Sequence, residues 1–262
     1  MARPASGAQS VRRALAVLRL VATGQDHGVR LTEVARMSGL SAPTAHRLLR
    51  VLMEETAVEQ DPQTRRYRIG HEITLLGLAR PAGLSIRAVA EPYLAALASE
   101  LGDTLFLSVR HGADSVCVGR YLGSHTIQVL SIDVGARRPL GASVSGIALL
   151  AGLSSAEAEA LTRGNAPRLK ALGRSVRQVL ADVEAARRQG HVYAPQGVMP
   201  GTSALAIPVP DGSGQVVGAI SLATLSARLP RDRVRAALAV MHQQVARLTR
   251  RLGEIERARS RQ

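Results

Sequence analysis

The chain has 262 residues, of which 46% are apolar, with a mean hydropathy of +0.06, and suits one large domain or two modest ones. Its net charge of +14 and pI near 11.4 point to a polyanionic partner without locating the surface that meets it. A single cysteine, Cys117, excludes an internal disulfide and a cysteine-rich metal centre, and no apolar run approaches the ~18–20 residues of a membrane helix. Met1 to Ser10 lacks the apolar core of a secretory leader, so a cytoplasmic protein that does not engage membranes is expected. Only five aromatic residues are present (Tyr67, Tyr93, Phe106, Tyr121, Tyr193), too few for single-stranded nucleic acid to stack on.

The charge is unevenly spread. Residues 1–80 hold 12 arginines against 7 acids, whereas ten arginines face three acids after Leu225. Net charge therefore marks no binding surface, and the arginine excess over the single Lys170 fits codon choice in a GC-rich genome.

In chain order, Val11, Ala14, Leu15, Leu18 and Ala22 repeat at helical spacing and predict a first amphipathic helix that stops near Gly24. The stretch Gln25–Arg30 is polar, and Thr32 is expected to cap a short helix through Met37. Gly39 suits a tight turn, and Ser41 suits the cap of a helix to about Glu54, with Pro43 tolerated in its first turn. Ala57–Gln60 and Arg66–Ile69 read as short strands joined by the turn Asp61-Pro62-Gln63-Thr64. Helix, turn, helix and hairpin in that order predict a winged helix-turn-helix. A helix over His71–Leu78 follows, and Arg80-Pro81-Ala82-Gly83 breaks it, giving domains over residues 1–80 and 84–256.

The second part mixes helices and strands. Ile86 to Leu101 reads as a helix containing Pro92. Leu105–Val109, Ser115–Tyr121 and Thr126–Ile132 read as strands, Ser143 to Ala151 and Val176–Gln189 as helices, and Leu205–Val209 with Val216–Thr224 as a hairpin. The last helix carries Val234, Leu238, Met241, Val245, Leu248, Leu252 and Ile255. That spacing fits a coiled-coil seam or, as favoured here, a helix packed on a sheet. The fold class is α+β, with an antiparallel sheet in the second domain.

On the helix after Ser41, Ala45, Leu48, Leu49 and Leu52 form the inward stripe. The opposite face carries Pro43, His46, Arg47 and Arg50, with Thr44 at its edge. Small residues at its start (Ser41, Ala42, Pro43) allow close approach to base edges, and arginine pairs with guanine or phosphate. A solvated basic face would look the same on an isolated helix; the preceding helix, the Gly39 turn and the hairpin decide for DNA. Arg65, Arg66 and Arg68 sit on the hairpin, where they are expected to clamp the adjacent backbone or minor groove.

Ser10-Val11-Arg12-Arg13-Ala14-Leu15, Leu31-Thr32-Glu33-Val34-Ala35, Gly39 through Leu49, Tyr67-Arg68-Ile69-Gly70, Val134 through Leu140 and Gly190 through Pro208 occur in this order. With these segments the chain resembles the IclR family of bacterial transcription regulators over nearly its whole length. The resemblance implies a linker helix after the winged helix-turn-helix, a GAF-like effector domain, and homodimers or dimers of dimers on a double-stranded, near-palindromic operator. It departs from the family where a Gly and an aromatic residue usually precede the first wing strand: here the stretch is Glu54-Glu55-Thr56-Ala57-Val58.

In the second domain, Ser143, Val144, Ser145 and Gly146 open a helix with small side chains, suited either to a ligand beside backbone N–H groups or to close packing. The resemblance favours the ligand and places pocket positions at Val144, Ser145, Ala194, Ala204, Ser221 and Ala223. Family members that take small carboxylates are more polar at several of these positions, and Gly197 stands where the family often has an acid. A larger, more apolar effector is therefore expected: a small organic acid, such as an aromatic one, anchored by Ser145, Ser221 and backbone N–H groups.

No catalytic, metal-binding or cofactor motif emerges. Cys117 lies between valines in a strand with no activating base marked. The seven histidines (His27, His46, His71, His111, His125, His191, His242) show no metal-ligand spacing. Gly212-Ser213-Gly214 is a hairpin turn without the lysine of a phosphate loop. The alternatives to a ligand-responsive regulator are a small-molecule enzyme with an N-terminal interaction module and a non-specific architectural DNA binder.

Overall fold

The structure, a computed structural model, describes residues 8–24, 27–78 and 85–259. The predicted break at Arg80-Pro81-Ala82-Gly83 and the first seven residues lie outside them. The chain divides into two compact units, Met1–Gly83 and Leu84–Gln262.

The first unit runs α1 (Gln9–Thr23), α2 (Leu31–Ser38), α3 (Ala42–Glu54), β1 (Val58–Gln60), β2 (Tyr67–Ile69) and α4 (His71–Leu78). Val17, Val21, Val34, Ala45, Leu49, Val58 and Tyr67 form its core. The face of α1 differs from the predicted one. Val17 and Val21 are buried, whereas Val11 and Leu15 are exposed. The helix is apolar on two sides, and the core it shares with α2, α3 and the hairpin has room for one of them. The start of α2 differs too. Arg30 is its N-cap residue, and the Glu33 carboxylate accepts the Arg30 backbone N–H at 2.7 Å, which leaves Thr32 inside the helix. Gly39 takes φ +68°, and the Ser41 hydroxyl caps α3 by accepting the Thr44 N–H at 3.4 Å.

The end of α3 shows how the chain manages without the family's glycine. Ala57 N–H donates to Leu52 O at 2.9 Å and Thr56 N–H to Met53 O at 3.0 Å, the paired bonds of a Schellman motif. Its left-handed position is Thr56, at φ +50°, a conformation disfavoured for a β-branched residue. Gly70 fits closely against this turn, since a Cβ there would lie 2.1 Å from Thr56 O. Across the hairpin, Val58 pairs with Ile69 and Gln60 with Tyr67, and Val29 adds a bridge to Tyr67. Asp61 Oδ1 accepts from Gln63 N, Thr64 N and Thr64 Oγ1, building the turn and drawing the Asp61 pKa below the usual carboxylate value.

The second unit runs α5 (Ile86–Leu101), β3 (Thr104–His111), β4 (Asp114–Tyr121), β5 (Arg137–Pro139), α6 (Val144–Ala151), α7 (Ser155–Gly164), α8 (Ala166–Lys170), α9 (Val176–Gln189), β6 (Val192–Ala194), β7 (Thr202–Pro210), β8 (Val216–Leu225) and α10 (Arg231–Arg259). The six strands form one sheet in the order β5-β4-β3-β8-β7-β6, with every pairing antiparallel. Strand alternation sends Leu105, Leu107, Leu205, Ile207, Val209, Ile220 and Leu222 to one face, under α5 and α10. There the α10 stripe, from Val234 through Met241 and Leu248 to Leu252, packs on the sheet. Ala206 and Ala219 face the other side, with Ile147 and Leu150 of α6 and Val179 and Val183 of α9.

The strand expected over Thr126–Ile132 is absent. The Gln128 side-chain amide instead donates to the carbonyls of Gly102, Gly123 and His125, and its oxygen accepts from Thr104 Oγ1 at 2.7 Å. Side-chain bonds thus hold the segment while β5 takes the edge of β4. Nearby, Asp103 has a side chain only 1% exposed; it accepts from Arg228 at 3.1 Å, Arg233 at 2.5 Å and Thr224 Oγ1 at 2.7 Å. It ties the start of β3 to the end of β8 and the start of α10.

Two outcomes follow. Thr56→Gly is expected to stabilise the first unit by about 0.5–1 kcal/mol, because relief of the left-handed penalty exceeds the added chain entropy; a denaturant midpoint that does not rise would refute the strain. Asp103→Ala is expected to destabilise the second unit by about 3 kcal/mol, by stripping two arginines and a threonine of their shared acceptor, readable in urea unfolding of the full chain.

Candidate functional site

Helix α3 turns Ala45 and Leu49 fully inward and leaves Ala42, Pro43, His46, Arg47 and Arg50 exposed. Thr44 is half-buried, and its hydroxyl lies 2.8 Å from that of Ser41. Arg50 Nε meets Glu54 at 3.2 Å, but both side chains are largely exposed, so this pair is worth little and exchanges easily for another anion. The predicted reading residues therefore share one solvent-facing side of α3.

The hairpin arginines differ among themselves. Arg65 is exposed in the left-handed region, at φ +56°. Arg66 donates to Gly28 O at 3.0 Å and lies 3.9 Å from Glu33, bracing the hairpin against the segment before α2. Arg68 sits 3.6 Å from Asp61 at the turn.

In the second unit a cavity of about 880 Å³ opens between the sheet and the side carrying α6 and α9. It exists because the strands present short side chains there. Ser143, Val144, Ser145, Ala194, Ala204, Ser221 and Ala223 all line it. Gly146 does not: it stands behind the wall, where a Cβ would lie 3.0 Å from Gly141 N, so its smallness serves the packing of α6 on the preceding turn. The Ser143 hydroxyl caps α6 by accepting the Gly146 N–H at 3.3 Å. Ser145 Oγ donates to Ser221 Oγ at 2.9 Å, joining α6 to β8 within the cavity. Gly197 also lines the wall, and a Cβ there would meet Thr202 Oγ1 at 2.4 Å, so an acid at this position needs a different neighbour.

Several lining residues lie outside the expected pocket positions. Phe106, Ser108 and Ser115 come from β3 and β4, Arg138 from β5, and Arg174 is paired with Asp182 at 2.5 Å. The inward alternation of Phe106 and Ser108 was available as a signal. Arg138 was hidden because β5 is three residues long and follows an irregular segment. Burial lowers the Arg138 pKa from the ordinary arginine value, yet a guanidinium stays charged at any physiological pH. Burial also pushes the Cys117 thiol up to about 11, and its Sγ donates to Gly119 O at 3.4 Å, an inert arrangement. Among the described residues no group of three or more His, Cys, Asp or Glu could hold a metal, and no helix is long and apolar enough to cross a membrane.

Comparisons with known proteins bear on the whole chain. Residues 10–62 match the IclR helix-turn-helix domain, and residues 82–250 match the family described as bacterial transcriptional regulator IclR C-terminal. The chain is 30% identical over 226 residues to the HTH-type transcriptional regulator XynR of Escherichia coli K12, covering 84% of this chain and 88% of that one. It is 33% identical over 218 residues to the glycerol operon regulatory protein of Streptomyces griseus, covering 82% and 84%. Among solved structures, an IclR-type regulator from Alicyclobacillus acidocaldarius superposes with a TM-score of 0.69 at 25% identity, covering 92% and 97%. An IclR homologue from Microbacterium hydrocarbonoxydans, solved in complex with 4-hydroxybenzoate, has the same fold, with a TM-score of 0.69 at 21% identity and coverage of 93% and 99%. The chain thus belongs to the IclR family, as a transcriptional regulator with a helix-turn-helix DNA-binding domain followed by an effector-binding domain.

Proposed function

We propose that this regulator binds a near-palindromic operator as a homodimer, reading bases with α3 and sensing a small aromatic or otherwise hydrophobic organic acid in the cavity of the second unit. The observation that carries the first half is the exposed row Pro43, His46, Arg47 and Arg50 on the second helix of a helix-turn-helix, with the short side chains of Ser41 and Ala42 at its start. Ser41, Ala42 and Thr44 would let the helix end approach the groove, and Arg47 would make the bidentate contact to guanine. Arg65 would reach the flanking backbone, with Arg66 and Arg68 holding the wing that presents it.

Exposed apolar side chains support the dimer. Helix α1 leaves Val11 61% and Leu15 45% exposed, and α4 leaves Leu76 59% and Leu78 76% exposed. Apolar surface of this kind is what a second copy would cover. Two-fold pairing of recognition helices would then match half-sites about one helical turn apart.

The cavity supports the second half. Ala194, Ala204 and Ala223 leave room and little polarity, and Phe106 offers an aromatic face. The Microbacterium homologue of the same fold was solved in complex with 4-hydroxybenzoate, which supports this reading. In this reading the cavity binds without turnover, as in an effector domain of a regulator.

Arg47→Ala is expected to weaken binding to the operator by about 1–3 kcal/mol, a factor of roughly five to 150, while leaving affinity for random duplex nearly unchanged. Equal loss on both sequences, or none, in a salt-controlled gel shift would overturn the assigned reading face. In calorimetric titration of the full chain, benzoate-type acids are expected to bind and pyruvate and glyoxylate are not. The reverse preference would end the aromatic-acid reading.

A further inference from the structure

Helix α6 and the Ser145–Ser221 pair do not use every polar group in the cavity. Under the β3-β4-β5 end of the sheet, Arg138 stands opposite Ser115 in the β4–β5 ladder, and Cys117, two residues along β4, stands opposite Ser108 of β3. Arg138, Ser115 and Ser108 all line the cavity. Ser108 is 3% and Ser115 2% exposed, yet neither hydroxyl has a hydrogen-bond partner among the described residues. Both residues line the cavity, so their hydroxyls are open to a hydrogen bond from a group that enters it.

Arg138 adds the charge. One of its guanidinium nitrogens donates to Ser131 O at 2.7 Å, and no carboxylate pairs with it among the described residues. Its neighbours behave otherwise. Arg137 lies 4.0 Å from Asp114, and Arg174 lies 2.5 Å from Asp182. The ionisable group nearest in effect is Cys117, whose thiol is neutral and offers no compensating charge. A half-buried cation without a carboxylate partner, lining the same wall as two serine hydroxyls, complements a planar oxyanion.

The spacing along β3 orders the cavity. Ser108 and Phe106 are two residues apart on the same face, about 6.8 Å, and Phe106 stands opposite Ser221 in the ladder with β8. An oxyanion at Ser108 would thus have an aromatic face within one ring's length, and the Ser145–Ser221 pair beyond it.

We propose that Arg138, with Ser115 and Ser108, is the subsite that takes the carboxylate of an aromatic-acid effector, and that the Ser145–Ser221 pair reads a second polar group rather than the acid. This inference rests on the reading of the cavity as the effector site. The acid is thereby moved from the start of α6 to the opposite edge of the sheet.

The test is calorimetric titration of the full chain with benzoate, 4-hydroxybenzoate and phenylacetate, and with benzamide as the neutral counterpart. Wild type is expected to prefer acid to amide. Arg138→Gln is expected to lose at least about tenfold in acid affinity, with benzamide binding unchanged, so that the preference collapses. Arg138→Lys should keep part of it, and Ser115→Ala should cost about fivefold. Acid binding and preference that survive both Arg138→Gln and Ser115→Ala would overturn the subsite while leaving the cavity reading intact. Should Arg138→Gln fail to fold, as judged by its melting curve, the Ser108→Ala/Ser115→Ala double variant decides in its place. Wild type that binds none of the three acids would overturn both the subsite and the cavity reading.

Discussion

The second unit is governed by the unequal length of side chains on the two faces of one sheet. Strand alternation gives each face every second residue. One face receives leucine, isoleucine and valine and is sealed by α5 and α10. The other receives Ala204, Ala206, Ala219, Ser221 and Ala223, which cannot reach across to α6 and α9 everywhere. Adhesion and vacancy are thus assigned by residue parity along the same strands. A shift of one residue in register would exchange them, filling the cavity and exposing the core. The buried Asp103, gripping Arg228, Arg233 and Thr224, sits where such a shift between β3 and β8 would begin.

The DNA-binding unit solves a different problem. Its core is small, and much of its surface is exposed: the basic side of α3, the hairpin, and the apolar sides of α1 and α4. Local chemistry carries it, with Ser41 and Glu33 at helix starts, Asp61 in the turn, and Arg66 bracing the hairpin. Charge that looks surplus in the sequence is partly structural in this way. Of the three hairpin arginines, two are engaged within the unit.

Much of this was legible in the sequence because caps, turns and periodicity are local. Ser41, Gly39, the Asp61 turn, α9 and the β7–β8 hairpin follow from neighbouring residues alone. The failures were not local. The burial of Val17 and Val21 rather than Val11 and Leu15 depends on which side of α1 its neighbours occupy. Thr126–Ile132 has strand composition, yet long-range bonds to the Gln128 side chain hold it outside the ladder. Most of the small-residue wall of the cavity was visible through the family pattern. Its β4–β5 end was not, because Ser108, Ser115 and Arg138 come together only through strand pairing. Gly146 misled because close packing and ligand access ask for the same small side chain.

The hydrogen bond between Ser145 and Ser221 carries a mechanical meaning besides its chemical one. It is a tether from α6 to β8, formed inside the space an effector would enter. A molecule that adds its own polar group to the end of this two-hydroxyl chain leaves the helix where it is. One that wedges between the hydroxyls must part them and shift α6 against the sheet. Two compounds of equal affinity could then differ completely in the motion they impose. In such a cavity, tightness of binding and strength of signal become separate properties, divided by whether a single 2.9 Å contact is extended or cut.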